Sequence, residues 1–342
     1  MRLTIIVPCR NERRHIGVCL DSILASDHPR ADLEVLVVDG RSDDGTREIV
    51  SEYAARHPEV RLLDNPRGIV PSALNIGIRA ATGDAVMRMD AHAVYPPEYV
   101  PRLLAALAES GADNVGGCVV TLPADPSAVA RAIAIALSHP FGVGNSYFRI
   151  GASAPRWVDT VPFGCYRREV FDRVGLFDEE LIRNQDDEFN HRLLRHGGRV
   201  LLVPDVVAEY YPRGSFVMLA RMYYQYGYFK PLAGRKVGRI MTIRQLVPAA
   251  FLLTLAVVGL FGLVWPPARW LWLAIAGSYA AAVAAFALLG ARGRGAGCAV
   301  ALAAAFPVLH GSYGLGFLRG LWDLVAHPRG RWADPSALPL SR

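Results

Sequence analysis

Two runs of the chain, Leu246 to Val264 and Trp270 to Leu289, contain no charged residue. As a helix, each is long enough to cross roughly 30 Å of hydrocarbon. A third apolar stretch, Cys298 to Leu318, is interrupted by Pro307, His310 and several glycines. Trp265, Trp270 and Trp272 lie near span ends, where interfacial aromatics collect. Buried core helices are the rival reading, and the Pro266-Pro267 break between two such runs argues against them. Soluble chemistry is therefore confined to the part before about Arg244, where charged residues recur among short apolar runs. With 342 residues, one domain plus an appendage is the expected organisation.

The formal charge of +6 does not point to nucleic acid. Lys230, Arg235, Lys236, Arg239 and Arg244 cluster beside the apolar spans, which suits acidic lipid headgroups. Between them and the preceding region, Tyr210 to Phe229 is rich in Tyr, Phe and Met and carries Arg213 and Arg221. That composition fits an amphipathic segment on the membrane surface, or, for half of its aromatics, packing under a sheet. The five cysteines form no C-x-x-C pair, so reduced thiols facing the cytosol are expected. Residues 1–8 lack the pattern of a secretory signal, which keeps the N-terminal domain in the cytoplasm. Basic residues before the first span, and Arg292 and Arg294 after the second, predict an in-out-in path. A third crossing would place Arg329 and Arg331 outside, against the positive-inside bias, so crossing, re-entry and an interfacial helix stay open.

Upstream, apolar runs alternate with helical periodicity. Leu3 to Pro8 reads as a strand, followed by a helix bearing Ile16, Cys19, Leu20, Ile23 and Leu24, with Asn11 as candidate cap. Leu33 to Val38 is a second strand, then the turn Asp39 to Thr46, then a helix with Ile49, Val50 and Tyr53. The alternation continues with Val60 to Leu63, a helix near Ser72 to Ala81, Ala85 to Met89, a helix near Glu98 to Ala108, and Val115 to Val120. This predicts an α/β fold with a mainly parallel sheet, whose ligands bind beyond the carboxyl ends of the strands. Those positions hold Pro8 to Glu12, Asp39, Asp64 to Gly68, and Asp90-Ala91-His92. Each acid or amide taken alone is an ordinary turn or cap residue; their convergence on one edge is the informative feature.

Five motifs occur in order: Ile5 to Glu12; Val37-Val38-Asp39-Gly40 through Asp44-Gly45-Thr46; Ala73 to Gly77 leading to Thr82-Gly83-Asp84; Asp90-Ala91-His92; and Gln185-Asp186-Asp187-Glu188. Over roughly residues 3–200 this set resembles the family-2 glycosyltransferases of the GT-A fold. Ser138 to Asn145 and His310 to Gly316 further resemble the succinoglycan-biosynthesis type of exopolysaccharide enzyme.

The resemblance implies a nucleotide-sugar donor, here read as a UDP-sugar, with Pro8, Arg10, Glu12, Asp39 and Asp90 around it. Arg67, after a strand on the same edge, is placed to contact the diphosphate or is simply solvated. A departing diphosphate gains charge that a divalent cation, Mn²⁺ or Mg²⁺, neutralises. Where the family has Asp-x-Asp, this chain has Asp90 and His92, and an imidazole ligand suits Mn²⁺ better. Alternatively, His92 is a turn residue and water completes the shell. Asp186 matches the base that takes the acceptor's proton in an inverting transfer. Alternatively, all three acids merely stabilise a helix start.

The expected organisation is a catalytic GT-A domain over 1–209, an interfacial segment over 210–244, two to three membrane helices over 245–325, and a short tail over 326–342. The expected location is the cytoplasmic membrane, multi-pass, with the catalytic domain inside and a polyprenyl-linked glycan as acceptor. A processive synthase and a catalytically silent nucleotide-binding membrane protein are the alternatives. Against the first, Ala220 to Gly227 replaces the Gln-x-x-Arg-Trp motif of synthases. A transporter is disfavoured, since apart from His310 the apolar stretches carry none of the Asp, Glu, Lys, Arg or His expected of a coupling site.

Overall fold

Strand β1 (Leu3–Cys9) is buried along its whole length, and its side chains alternate between two apolar clusters. Leu3, Ile5 and Val7 enter one cluster and Ile6 the other, as the two-residue strand period requires. Strands buried on both faces read as unbroken apolar runs and belong in the middle of a covered parallel sheet. The computed structural model, which describes residues 1–212, 214–238 and 242–326, has that arrangement. Arg213, Arg239, Arg329, Arg331 and most of the proposed tail lie outside the described residues.

The chain separates into two compact units. The first comprises Met1–Val120 and Tyr147–Tyr211. After β1 come α1 (Ile16–Leu24), β2 (Leu33–Asp39), α2 (Thr46–Arg56), β3 (Val60–Asp64), α3 (Val70–Ala80), β4 (Ala85–Arg88), β5 (Ala93–Val94), α4 (Tyr99–Glu109) and β6 (Asn114–Thr121). Beyond an excursion described below, β7 (Arg156–Trp157), β8 (Cys165–Arg167) and β9 (Val200–Tyr210) complete a sheet ordered β3-β2-β1-β4-β8-β6-β9-β5, with β7 on β9. β3, β2, β1 and β4 run parallel, whereas β8 is antiparallel to β4 and β6. Residues from α1, α2 and α4 fill one face, and residues from α3 cover the other. On that face, a Cβ at Gly77 would come within 2.6 Å of the Ile6 side chain, so only glycine lets α3 lie this close to β1.

Each expected strand and helix of this part is present, with one correction at α1. Asn11 is not its cap: the residue before the helix is His15, which makes no side-chain cap bond. Asn11 instead adopts a left-handed conformation (φ 55°), and its amide oxygen accepts from the backbone N–H of Asp43 at 3.0 Å. Asn tolerates that conformation through such local bonds, so it shapes the loop between β1 and α1.

The second unit comprises Thr121–Ser146 and the chain from Pro212 onward. Its helices are α5 (Ala128–Leu137) and α6 (Pro140–Val143), then, after α7 (Tyr147–Ile150), α8 (Glu169–Val174) and α9 (Gln185–Arg195) of the first unit, α10 (Phe216–Val237), α11 (Val247–Val264), α12 (Pro266–Gly290) and α13 (Ala296–Ala326). Ser127 and Ser215 cap α5 and α10 by accepting from Ala130 and Met218 N–H. α11, α12 and α13 are each long and apolar enough to cross a membrane. Leu253, Val257, Leu260, Leu263, Trp270 and Leu271 stand exposed on α11 and α12, a surface that suits hydrocarbon rather than water.

α10 lies along α13 rather than free on a surface, burying Leu219, Tyr223, Tyr228 and Phe229. A Cβ at Gly316 or Gly320 would strike the Tyr224 or Tyr228 carbonyl, and one at Gly227 the Tyr313 carbonyl, so the two backbones touch through glycine. The two apolar-region motifs also meet: His310 Nε2 lies 2.8 Å from the Phe141 carbonyl and Nδ1 2.9 Å from the Tyr279 hydroxyl. The His310 ring is thereby partnered on both nitrogens, as its place in an apolar bundle demands. Gly316→Leu will wedge α10 from α13 and cost about 1–3 kcal/mol or more, read as a lower unfolding temperature of the detergent-solubilised protein.

Candidate active site

The parallel strands end on one edge, and their polar residues gather there. The loops after β1 and β2 are joined by backbone N–H donors: Asn11 to Ser42 Oγ (2.8 Å), Glu12 to Thr46 Oγ1 (2.9 Å) and Arg13 to Asp44 Oδ2 (3.1 Å). Pro8 is buried in β1 opposite Val38, and Arg10 Nη1 reaches the Gly68 carbonyl at 3.4 Å, beside Gly40.

Asp39 ends β2, with Cys9 and Asp64 as its neighbours on β1 and β3. Its carboxylate is buried and fully engaged. Oδ1 accepts from Ser42 Oγ (2.5 Å), and Oδ2 accepts from Ser42 N (3.0 Å) and Arg47 Nη1 (2.8 Å). Burial pushes this carboxyl up, but the Ser42 bonds and Arg47 outweigh that and hold it below the ordinary aspartate value. Arg47 also pairs with Asp64 at 2.7 Å, so one guanidinium ties the tips of β2 and β3. Arg47 was not singled out by sequence reasoning. The only signal is its place in the first turn of the helix after Asp39.

At the end of β4, Asp90 and His92 face different partners. Asp90 Oδ1 accepts from Arg88 Nε at 2.9 Å and lies 2.9 Å from Nη2 of the same guanidinium. His92 Nδ1 is buried, lies 3.3 Å from Glu12 Oε1 without a hydrogen bond, and its ring meets Tyr210 edge-on. Arg67 is paired with Glu179, whose other oxygen accepts from Asn75 Nδ2 at 2.8 Å. Asn75 also exchanges two 2.9 Å bonds with the backbone of Phe177, pinning the segment that leads to α9.

α9 brings Asp186 to the same place. Asn184, in a left-handed conformation, opens the helix, and Asp186, Asp187 and Glu188 occupy its first turn. Glu188 is tied to Arg192 one turn on (2.8 Å), as an ordinary helix pair. Asp186 instead binds Arg88 Nη1, so one guanidinium joins it to Asp90. Burial pushes the Asp186 carboxyl up, Arg88 pulls it down, Asp90 and Asp187 add repulsion, and the result lies above the ordinary aspartate value. Arg88 was also unforeseen, its sequence signal being a lone cation closing an apolar strand.

Among the described residues no three His, Cys, Asp or Glu side chains converge as a complete metal cage. Asp90 offers a carboxylate and His92 a buried nitrogen without a hydrogen bond, donor types that a divalent cation accepts, although the two side chains face different partners here.

A parallel sheet with acids at its carboxyl edge and a carboxylate from a later helix is the architecture of a nucleotide-sugar glycosyltransferase. Residues 4–175 match the model of glycosyl transferase family 2. The chain is 32% identical over 321 residues to succinoglycan biosynthesis protein ExoA of Rhizobium meliloti, covering 93% of this chain and 94% of that one. It is 29% identical over 270 residues to a dolichyl N-acetyl-alpha-D-glucosaminyl phosphate 3-beta-D-2,3-diacetamido-2,3-dideoxy-beta-D-glucuronosyltransferase of Methanococcus voltae, covering 76% and 82%. Among solved structures, mannosyltransferase PcManGT from Pyrobaculum calidifontis, in complex with GDP-Man and Mn²⁺, aligns with a TM-score of 0.60 at 26% identity, covering 94% of this chain and 87% of that one. The chain belongs to glycosyl transferase family 2. It is a glycosyltransferase with the GT-A fold.

Because Asp39 titrates below its unfolded value, its contribution is fully present above the unfolded pKa and is lost as pH falls through the lower folded pKa. Ser42→Ala removes its shortest bond, and should cost about 1–3 kcal/mol at neutral pH and move acid unfolding to higher pH in a pH-titrated melting series.

Proposed function

We propose that the chain transfers one sugar, with inversion, from a nucleoside-diphosphate sugar to a polyprenyl-linked glycan at the cytoplasmic face of the membrane. One observation carries this reading: Asp90 at the end of β4 and Asp186 at the start of α9 are joined through a single side chain at the carboxyl edge of the sheet. Residues 1–209 carry the chemistry, with Thr121–Ser146 folded among the helices that follow. Residues 210–244 supply the interfacial segment and residues 245–325 the anchor.

The nucleoside diphosphate lies across the tips of β1, β2 and β3, where Pro8, Arg10, Glu12 and Asp39 shape its seat. Asp39 acts there by anchoring the 40–46 loop, its own oxygens being occupied. Arg67, paired with Glu179, is the side chain that turns to the diphosphate. Asp90 and His92 would hold a divalent cation, which when bound neutralises the leaving diphosphate. Asp186 takes the proton from the acceptor hydroxyl as that oxygen bonds the anomeric carbon. The bond from that carbon to the diphosphate oxygen breaks, and its electron pair leaves with the nucleoside diphosphate. Attack from the side opposite the leaving group inverts the anomeric centre. A carboxyl raised above the ordinary range is a stronger base once ionised.

A UDP-sugar follows from the motif resemblance, and GDP-mannose is the donor of the PcManGT complex. Succinoglycan synthesis and a dolichyl-phosphate-linked sugar in the named relatives support a lipid-linked acceptor. Arg244, Arg292 and Arg294 flank α11 to α13 on the side the positive-inside rule assigns to the cytoplasm.

The test is nucleoside diphosphate release by the purified full chain from a panel of UDP- and GDP-sugars, with Mn²⁺ or with chelator. Chelator should abolish release, and turnover by metal-free protein would refute the roles of Asp90 and His92. Asp186→Asn should lower kcat by about 10²–10⁴-fold while donor affinity, measured by equilibrium binding, changes little. For the wild type, kcat should fall as pH drops through the raised Asp186 pKa, because protonation removes the base. An acid limb at ordinary aspartate values would contradict this.

A further inference from the structure

Arg88 occupies a place that the proposed chemistry does not use. Its backbone is fixed in the sheet, with Cα opposite Ile6 and N–H donating to the Gly164 carbonyl at 3.0 Å. Its side chain is 14% exposed, between Asp90 at 15% and Asp186 at 33%. The guanidinium is divided between them: Nε and Nη2 both address Asp90 Oδ1, and Nη1 addresses Asp186 Oδ2. Arginine does not give up its proton, so a mostly buried guanidinium always needs at least one anion against it.

We propose that Arg88 is a positioning residue which acts as a built-in rival to the divalent cation, so that metal and nucleoside diphosphate enter as a pair. This inference rests on the roles proposed for Asp90 and Asp186. A bare divalent ion approaching Asp90 meets a fixed positive charge already holding the same carboxylate, and two like charges at such separations repel by kilocalories. A cation that arrives with the diphosphate brings compensating negative charge, and Arg88 then yields Asp90. Its other arm keeps Asp186 in place, so the base is held whether or not the donor site is filled. Linkage makes the effect reciprocal, with bound nucleotide raising cation affinity by the factor that bound cation raises nucleotide affinity.

The decisive measurement is Mn²⁺ binding to the full-length, detergent-solubilised protein, followed by the electron paramagnetic resonance signal of free Mn²⁺, without nucleotide and with UDP or GDP. Arg88→Gln removes the rival charge, and Arg88→Lys keeps it while losing the fork. In the absence of nucleotide, Arg88→Gln should bind Mn²⁺ about tenfold or more tightly than wild type, whereas Arg88→Lys should bind as weakly as wild type. The nucleotide-induced gain in Mn²⁺ affinity should shrink in Arg88→Gln by about the same factor. With Asp186 released, Arg88→Gln should also lose about 10²-fold in kcat, at a nearly unchanged donor KM when Mn²⁺ is kept too low to load the nucleotide-free protein. A loss of fold would weaken binding and turnover together, so tighter metal binding with slower turnover is the distinguishing signature. Arg88→Gln binding Mn²⁺ alone no better than wild type, or turning over within about threefold of it, overturns the proposal. Asp90→Asn separates this failure from that of the underlying reading: undiminished Mn²⁺ binding in that variant removes the metal site itself, and the rivalry with it.

Discussion

Parallel pairing of β3, β2, β1 and β4 is the constraint from which the first unit follows. Strands covered on both faces leave their interior positions to apolar side chains, and the polar residues that chemistry needs are displaced to the ends. In a parallel set the carboxyl ends lie on one edge, so Asp39, Asp64 and the Arg88-to-His92 segment are brought together by topology. The antiparallel β8 next to β4 closes the far side of that set, and the carbonyl of Gly164, the residue before β8, holds the backbone of Arg88.

Charge at this edge is balanced pair by pair. Arg47 spans Asp39 and Asp64, Arg88 spans Asp90 and Asp186, Arg67 meets Glu179, and Arg192 meets Glu188. Two of these arginines bridge acids from different elements, and so fix the relative placement of strand tips and helix start as well as their charge. The outcome for individual carboxylates differs. Asp39, surrounded by donors, is held low, whereas Asp186, with one guanidinium and acidic neighbours, stays high. Those opposite settings suit the roles of anchor and base proposed for the two residues.

Strands β1 to β4 and β6 and helices α1 to α4 were legible in the sequence because burial imposes periods of two and of about 3.6 residues, which survive in a linear reading, whereas β5, β7, β8, β9, α7 and α8 drew no expectation. The candidate acids were legible because they follow those strands directly. What escaped was pairing between distant positions. Arg88 and Asp186 are 98 residues apart and Asn75 and Phe177 are 102 apart, and no local pattern announces either contact. The cap at Asn11 misled for a related reason: the residue type suits a cap and a left-handed turn equally, and only the bond from Asp43 decides. In the apolar part, length and hydropathy marked α11 and α12, while the Pro307 interruption concealed that α13 continues as one helix to Ala326.

The excursion between β6 and β7 has a bearing on how this enzyme can be divided. Ala132 and Ala136 of α5 share a cluster with Val283, Ala287, Leu302 and Phe306 of α12 and α13, and Phe141 of α6 packs against the same group. The polypeptide thus leaves the sheet, contributes two helices to the apolar bundle, and returns before the sheet is finished. Cutting the gene after β9 would not release a soluble catalyst, because the remaining fragment would still carry α5 and α6 with a greasy flank stripped of its cover. Anchor and catalyst are interleaved along the polypeptide, and the bundle is inherited by any version of the enzyme that keeps its own sheet intact.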